Sequence, residues 1–446
     1  MLRLLCEDLA FGEDGVCRHE GYVVFVPRVL PGELVEVRIV QAGRKFARGE
    51  PLKVLRPSPD RVDPRCRHFG DCGGCTWQHL RYEAQARTKE GLLRRLLEKQ
   101  VSAAAAAAVA PIVATQPPWG FREKVQLAVR GKAGAPVVGF YRLRSHSVVD
   151  IEECPVQPDE AVKQALAAKA VIAKRRVPIR DERSGRGAVR HLVLRRGKAT
   201  GDSHLVLVTA DEDAPGLRGI GGDLSRIRPR LGGVSLNRNE WESSIVLGPR
   251  TRHLAGSRTW RERVGGVLFE IGPTSFFQTN ARAAEALVEE VRRAVPQGPR
   301  VRVLDLYAGV GLFALTLSKQ VGSVTAIEAG REAVSDGIRN AEANGAANCR
   351  WRLGPVERLV ADPSIGRYDA VVADPPREGL GPGVLEGVVR GCRARLLVLV
   401  SCDPLTLARD LARAESLGGR VERVLPVDMF PHTHHLESVA TVSFRG

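Results

Sequence analysis

No stretch of this 446-residue sequence approaches the roughly eighteen consecutive apolar residues that a membrane span requires. The alanine-rich stretch Ala103 to Ala108 is too short and only weakly apolar, so a protein with no membrane segment is expected. The opening residues Met1-Leu2-Arg3-Leu4-Leu5-Cys6 run at once into Glu7 and Asp8, leaving no room for the apolar core of a secretory leader. A cytoplasmic location is therefore expected. No long internal repeat is evident. The nine cysteines would sit in a reducing compartment, which argues against a disulfide framework and points to metal binding or catalysis for those that cluster.

The chain is longer than one hydrophobic core normally supports, so two or three domains are expected. Its hydrophobic fraction of 43% fits ordinary globular packing. The formal charge of +16 arises from 67 basic residues, most of them arginine, against 51 acidic ones. The arginine fork pairs with phosphate oxygens in a bidentate manner, so a nucleic acid is one partner class consistent with this excess. An arginine-favouring genome explains the composition equally well, and composition alone does not separate the two.

From Leu4 to Leu55 short strands alternate with glycine turns: Tyr22 to Pro27, Glu33 to Val40 and Pro51 to Leu55, with turns around Gly12 and Gly32. This pattern predicts a small β-barrel. The segments Phe11-Gly12-Glu13-Asp14-Gly15-Val16, Val24-Phe25-Val26-Pro27 and Pro31-Gly32-Glu33 resemble a TRAM domain, an oligonucleotide/oligosaccharide-binding (OB) type barrel found on RNA-modifying enzymes. The resemblance implies an RNA-holding module; a barrel with a purely structural role is the alternative. A linker from Pro57 to Pro64 leads to three close cysteines and a helical stretch from Tyr82 to Lys99. Many short strand signals follow between Gly120 and Phe269.

Alternating helix and strand signals begin near Ala281. Helix Ala281 to Ala294 precedes strand Val301 to Leu306, helix Leu312 to Gln320, strand Ser323 to Glu328 and helix Arg331 to Asn344, then strands Ala370 to Ala373 and Leu396 to Val400. Such alternation predicts a doubly wound parallel sheet. The first strand runs into Tyr307-Ala308-Gly309-Val310-Gly311, which puts the glycines at its carboxyl end, where a ligand can approach the backbone. Nineteen residues past Gly309 the second strand ends in Glu328, the position from which an acid accepts ribose hydroxyls. The closing glycine of a dinucleotide fingerprint is replaced by Phe313-Ala314-Leu315. That departure favours S-adenosylmethionine, which has no pyrophosphate to cradle.

Cys402 lies in Val400-Ser401-Cys402-Asp403-Pro404, just past an apolar strand. Burial as a plain core residue is the commonest fate of a cysteine, so this position alone decides nothing. Asp374-Pro375-Pro376-Arg377 ends another strand on the same edge, and Phe430-Pro431-His432-Thr433-His434-His435-Leu436-Glu437 precedes the last one. Together with Phe276-Phe277-Gln278-Thr279-Asn280 and Asp305-Leu306-Tyr307-Ala308-Gly309-Val310-Gly311, these ordered motifs resemble the RNA 5-methyluridine (uracil-C5) methyltransferase family, most of all the 23S ribosomal RNA branch with a TRAM domain and an iron-sulfur cluster.

The resemblance implies an α/β fold: a class I Rossmann-like methyltransferase domain at 266–446, an N-terminal OB-type TRAM barrel at 1–58, and a central α+β domain at 59–265 carrying the cluster. It implies that Cys402 adds to carbon 6 of uracil, making carbon 5 nucleophilic, and that Glu437 removes the carbon-5 proton; a surface acid is the bland alternative for Glu437. Gln278, Tyr307, Glu328 and Asp374 would hold S-adenosylmethionine. Leu312 and Pro355 stand where the family often has asparagine, which puts cofactor affinity rather than reaction type in question. The spacing around His432, His434 and His435 is not that of a conventional metal site, so pocket-shaping histidines are expected.

Cys66, Cys72 and Cys75, with Cys154 far downstream, suit either an iron-sulfur cluster or a four-thiolate zinc site by spacing. The resemblance, including Gln78 soon after Cys75, points to a 4Fe-4S cluster on those four thiols. Cys6, Cys17, Cys349 and Cys392 are expected to be packing residues. A cytosine-C5 methyltransferase and a non-catalytic RNA-binding protein are the competing functions. The resemblance favours ribosomal RNA over transfer RNA as partner, and a monomer is expected.

Overall fold

The computed structural model describes residues 1–241 and 245–445. Strands β1 (Leu2–Leu9), β2 (Asp14–His19), β3 (Tyr22–Pro27), β4 (Leu34–Ala42) and β5 (Phe46–Arg56) close into a barrel in the order β1-β2-β3-β5-β4. Alternate residues point inward, so Leu4, Cys6, Cys17, Val24, Val26, Val35 and Val37 form its core. Closure pairs every strand on both sides and leaves no sheet edge open.

Beyond the cysteine loop, α1 (Tyr82–Gln100) and α2 (Ala103–Ala107) pack not on the central sheet that follows them but on the C-terminal one, through Leu93, Leu97 and Ala105. The central sheet comprises β6 (Lys124–Lys132), β7 (Ala135–Tyr141), β8 (Val148–Asp150), β9 (Val189–Arg196), β10 (Ser203–Thr209), β11 (Gly233–Arg238) and β12 (Arg250–Gly256). Its order is β12-β11-β10-β9-β6-β7-β8, antiparallel except for the β10–β11 pair. Helices α3 (Asp159–Lys174) and α4 (Ile220–Leu224) cover one face. Val125, Leu127, Leu192 and Leu194 point towards them, so their strand neighbours Gln126, Ala128, Arg130 and His191 face the other way.

A hairpin of β13 (Trp260–Val264) and β14 (Val267–Ile271) leads into the C-terminal unit. There α5 (Ala281–Ala294), β15 (Gly298–Leu306), α6 (Leu312–Leu317), β16 (Val321–Glu328), α7 (Arg331–Ala343), β17 (Cys349–Leu353) and α8 (Val356–Val360) precede β18 (Ala370–Ala373). Helix α9 (Val384–Glu386), β19 (Leu396–Ser401), α10 (Pro404–Ser416), β20 (Gly419–Val427) and β21 (Glu437–Phe444) complete the chain. The sheet runs β17-β16-β15-β18-β19-β21-β20, with β21 antiparallel to both neighbours.

Both faces of this sheet are buried, which is why its strands read as continuous apolar runs. Val303, Val372, Val398 and Val400 point into one core with α5 and α6. Leu304, Val371, Leu397 and Leu399 point into the other, with α1, α2 and α10. The doubly wound sheet expected from the sequence is present, and every strand carboxyl end except that of β21 opens on one edge.

Candidate active site

That edge collects the motifs. At the end of β15 the buried Asp305 accepts a hydrogen bond from Ala314 N at 2.8 Å, which ties the strand to the start of α6. Tyr307, Gly309 and Gly311 all have positive φ, so the chain turns sharply between the two elements. A Cβ on Gly311 would meet the Trp351 ring at 2.9 Å, whereas one on Gly309 would meet nothing within 4 Å. Gly311 is thus required by packing, and Gly309 forms an open lip.

Glu328, at the end of β16, braces this lip. Its Oε2 accepts from Gly309 N at 2.9 Å and its Oε1 from Gly330 N at 2.6 Å. Tyr307 is partly exposed and donates from its hydroxyl to Glu357 at 3.0 Å. Gln278 Nε2 donates to Asp374 Oδ2 at 3.2 Å across the mouth of the turn. Gln278 is fixed by Asn280, whose side chain caps α5 and donates to Thr115 Oγ1 and to the Met429 carbonyl. Of the two positions lacking the expected asparagine, Leu312 is buried in the core and Pro355 caps α8.

Cys402 occupies the bend between β19 and α10. Asp403 caps the helix by accepting from Leu405 N and Thr406 N, and Pro404 takes its first position, where no amide donor is needed. Ser401 pairs with Ser438 in the last rung of the antiparallel β19–β21 ladder, which brings Cys402, just past β19, beside Glu437 at the start of β21.

Burial pushes the Cys402 thiol up to about 12, and the neighbouring carboxylates of Glu437 and Asp374 push the same way, against Arg377. Glu437 is 3% exposed and is held well above the ordinary carboxylate range by burial and then by Asp374, again against Arg377. Burial lifts Asp374 to about 7, with the Gln278 hydrogen bond opposing. The thiol thus lies beside two carboxyls whose proton affinity burial has raised. Strongly shifted, convergent groups of this kind mark a reactive site.

The run from Phe430 to Glu437 is held from behind. His432 donates from Nε2 to the Pro118 carbonyl at 3.0 Å, which leaves Nδ1 to accept from Gln85 Nε2 at 3.2 Å. Its ring stacks on Trp119 at 3.9 Å, and burial lowers its pKa to about 4. The His432 carbonyl accepts from Thr76 N and Trp77 N, joining the cysteine loop to the catalytic edge. The completely buried Lys89 donates to Asp428 at 2.7 Å and to the Phe430 carbonyl at 3.1 Å.

Cys66, Cys72, Cys75 and Cys154 gather beside this loop, and ionising any one of them would raise the pKa of another. Cys75 and Cys154 are pushed up to about 12, chiefly by burial. Gln78 accepts from Cys66 N at 3.1 Å. Among the described residues no group of three or more His, Cys, Asp or Glu side chains is arranged to hold a metal ion, so the expected cluster finds no support in this arrangement of the thiols. Arg122 stands near Cys75, Cys154 and Arg377, with its guanidinium 5.9 Å from the Phe430 ring centre. The sequence reading assigned no role to Arg122, Lys89 or Gln85.

A glycine lip braced by an acid, and a half-buried thiol beside a buried carboxyl, lie together at the strand carboxyl ends of a doubly wound sheet, the place where α/β proteins of this class bind ligands. Comparison with known proteins narrows this class. The family model for tRNA (uracil-5-)-methyltransferases matches residues 265–443, and that for the TRAM domain matches residues 1–52. An uncharacterized RNA methyltransferase of Halalkalibacterium halodurans is 33% identical over 448 residues, covering 100% of this chain and 97% of the relative. One from Gloeobacter violaceus is 37% identical over 436 residues, covering 97% and 94%. Among solved structures, the Pyrococcus abyssi tRNA (uracil-54, C5)-methyltransferase in complex with S-adenosyl-L-homocysteine superimposes with a TM-score of 0.78, at 29% identity and 99% coverage of both chains. The chain belongs to the RNA uracil-5 methyltransferase family, and its N-terminal barrel is the TRAM domain.

Proposed function

We propose that this enzyme transfers a methyl group from S-adenosylmethionine to carbon 5 of a uridine in RNA, with Cys402 as nucleophile and Glu437 as base. The observation that carries this reading is the approach of Cys402 to Glu437 at the end of the β19–β21 ladder. S-adenosylmethionine, when bound, supplies the electrophilic methyl and a sulfonium charge that favours the ionised forms of Asp374 and Glu437. The open lip at Gly309, braced by Glu328, and the Gln278–Asp374 pair fit a nucleoside cofactor.

Cys402 gives its thiol proton to solvent as its sulfur bonds to carbon 6, and the electron pair of the carbon 5–carbon 6 double bond moves onto the uracil carbonyl at carbon 4 as an enolate. Arg377 and the adjoining helix start favour the thiolate. Carbon 5 of this enolate would take the methyl as its bond to the sulfonium sulfur breaks, releasing S-adenosylhomocysteine, and Glu437, as carboxylate, then takes the carbon-5 proton. Re-forming the carbon 5–carbon 6 double bond expels the thiolate. A carboxylate whose proton affinity is raised by burial is the stronger base for this step.

We further propose that Cys66, Cys72, Cys75 and Cys154 hold a 4Fe-4S cluster. Zinc about 2.3 Å from four sulfurs needs them within roughly 3.8 Å of each other. What supports the cluster reading is that the four thiols lie close enough for each to feel another's charge. Methyl transfer to an enolate needs no electron, so the cluster organises the loop that binds the His432 carbonyl. The TRAM barrel and the cysteine-rich loop support ribosomal RNA as substrate. Transfer RNA is the second reading, favoured by the full-length likeness to the P. abyssi enzyme. Mapping 5-methyluridine by mass in both RNAs from cells with and without the protein tests the proposal. Loss from neither RNA would overturn it.

A further inference from the structure

The open face of the central sheet carries a cleft of about 1440 Å³ that contains none of Cys402, Glu437 or Asp374. One wall is the cysteine loop at Gly73 and Gly74, and another is the β7–β8 hairpin. Arg130, Arg142, Arg144, Arg180, Arg183 and Arg190 line it, against the carboxylates of Asp181 and Glu182. Glu182 is shared by Arg130 at 3.1 Å and Arg190 at 3.5 Å, so it fixes two guanidinium groups while neutralising one. Arg142 is braced by Asp71, and Arg144 by Asp14 and Glu13 of the barrel. The cleft is thus positive and its cations are pre-positioned.

Its floor also has the features of a base-binding surface. Tyr141 is 37% exposed, yet its hydroxyl is held by Arg130 at 2.8 Å, which presents the ring in a fixed pose. His191, 93% buried in the floor, has no partner for Nδ1, and Arg190, 96% buried, has none for Nε. Fixed arginines for phosphates and a rigid ring for stacking are elements of single-strand recognition.

We propose that this cleft binds a single-stranded RNA segment flanking the methylated uridine, with Tyr141 as stacking platform and the arginines on the phosphates. The inference rests on the uridine-methylating reading only for the word flanking. The cysteine loop forms one wall of the cleft and also holds the His432 carbonyl, which links the cleft to the edge that carries Cys402.

The test uses the full chain and a labelled oligocytidylate of about twelve nucleotides, which offers no uridine to the Cys402 site. Tyr141→Ala should weaken binding on the order of tenfold, within the range of one lost base stack, and Tyr141→Phe should retain it. Arg183→Glu at this exposed rim position should weaken binding and flatten its salt dependence by about one to two phosphate contacts. Calorimetric affinity for S-adenosylhomocysteine should be unchanged in all three variants, which establishes that they are folded. Wild-type affinity and salt slope in both Tyr141→Ala and Arg183→Glu would overturn the proposal. A wild-type protein that binds the oligomer here but methylates no uridine would overturn the proposed function and leave the cleft standing.

Discussion

Lys89 Nζ lies 2.7 Å from Asp428 Oδ1, with both side chains completely buried, and this pair joins a helix to a strand end more than 300 residues away. Two further links, Thr115 to the Asp428 carbonyl and Asn280 to Thr115, carry the connection to the motif that positions Gln278. Removing one partner strands the other charge. Lys89→Ala should therefore cost about 3–5 kcal/mol in denaturant unfolding. Lys89→Met with Asp428→Leu should recover most of that loss, and a double variant as unstable as the single one would show that the pair itself contributes the stability.

The convergent thiols predict metal content. Protein purified without oxygen should be brown and contain iron and sulfide in near-equal amounts. Cys72→Ser should lose both, and because the cysteine loop hydrogen-bonds the His432 carbonyl, it should lose methyl transfer as well. Stoichiometric zinc without iron would refute the cluster.

Asp374 gives a pH signature whose sign follows from its raised pKa. The folded-state value of about 7 lies above the ordinary 3.8, so the folded protein holds a proton that the unfolded chain has already lost. Stability from this group is complete below pH 4 and declines as pH rises towards 7. Glu437 acts in the same direction. Asp374→Asn should reduce the loss of unfolding free energy between pH 5 and 8, by an amount on the order of 1–3 kcal/mol. An identical pH slope in the variant would mean that Asp374 ionises normally.

Much of the C-terminal unit was legible because its elements are short, apolar and separated by glycine or proline. The expected helix at 281–294 and strand at 370–373 coincide with α5 and β18, and the helix expected at 312–320 ends instead at Leu317. The last strand after the Phe430–Glu437 run is present as β21, whereas β20 was not expected, since its alternation of arginine and glutamate with apolar residues hides a strand that gains its partner only across the His432 loop. The packing of α1 was hidden for a similar reason: its apolar stripe does not say which sheet it meets. Yet Gln85 and Lys89 lie on the same stripe as Tyr82, Leu93 and Leu97, and polar residues at core positions of a helix signal buried partners. Arg122 had no such signal, since a single arginine beside a strand reads as solvated.

Glu328 bonds both sides of the glycine lip, so its loss should act twice. Glu328→Ala should weaken S-adenosylmethionine binding on the order of tenfold to a hundredfold, through the missing ribose acceptor and the released Gly309 and Gly330 amides. Glu328→Gln keeps one acceptor and should lie between. Unchanged calorimetric affinity in the alanine variant would place the cofactor elsewhere.

The proximity of Cys402 and Glu437 predicts a division of labour, because in the proposed mechanism one group acts before methyl transfer and the other after it. Cys402→Ala has no sulfur to add to carbon 6, so it should form neither adduct nor product. Glu437→Gln retains the thiol and, lacking the neighbouring carboxyl that raises its pKa, should form the adduct at least as readily. With no base for the carbon-5 proton, the methylated RNA should stay bound through sulfur and migrate with the protein on a denaturing gel. Incubating each variant with target RNA and methyl-labelled cofactor reads both outcomes. A labelled, denaturation-resistant complex from Cys402→Ala would refute the nucleophile. Normal turnover by Glu437→Gln would move the base elsewhere, and His434 and His435 would be tested next: burial holds both imidazoles neutral, and a neutral imidazole can accept a proton.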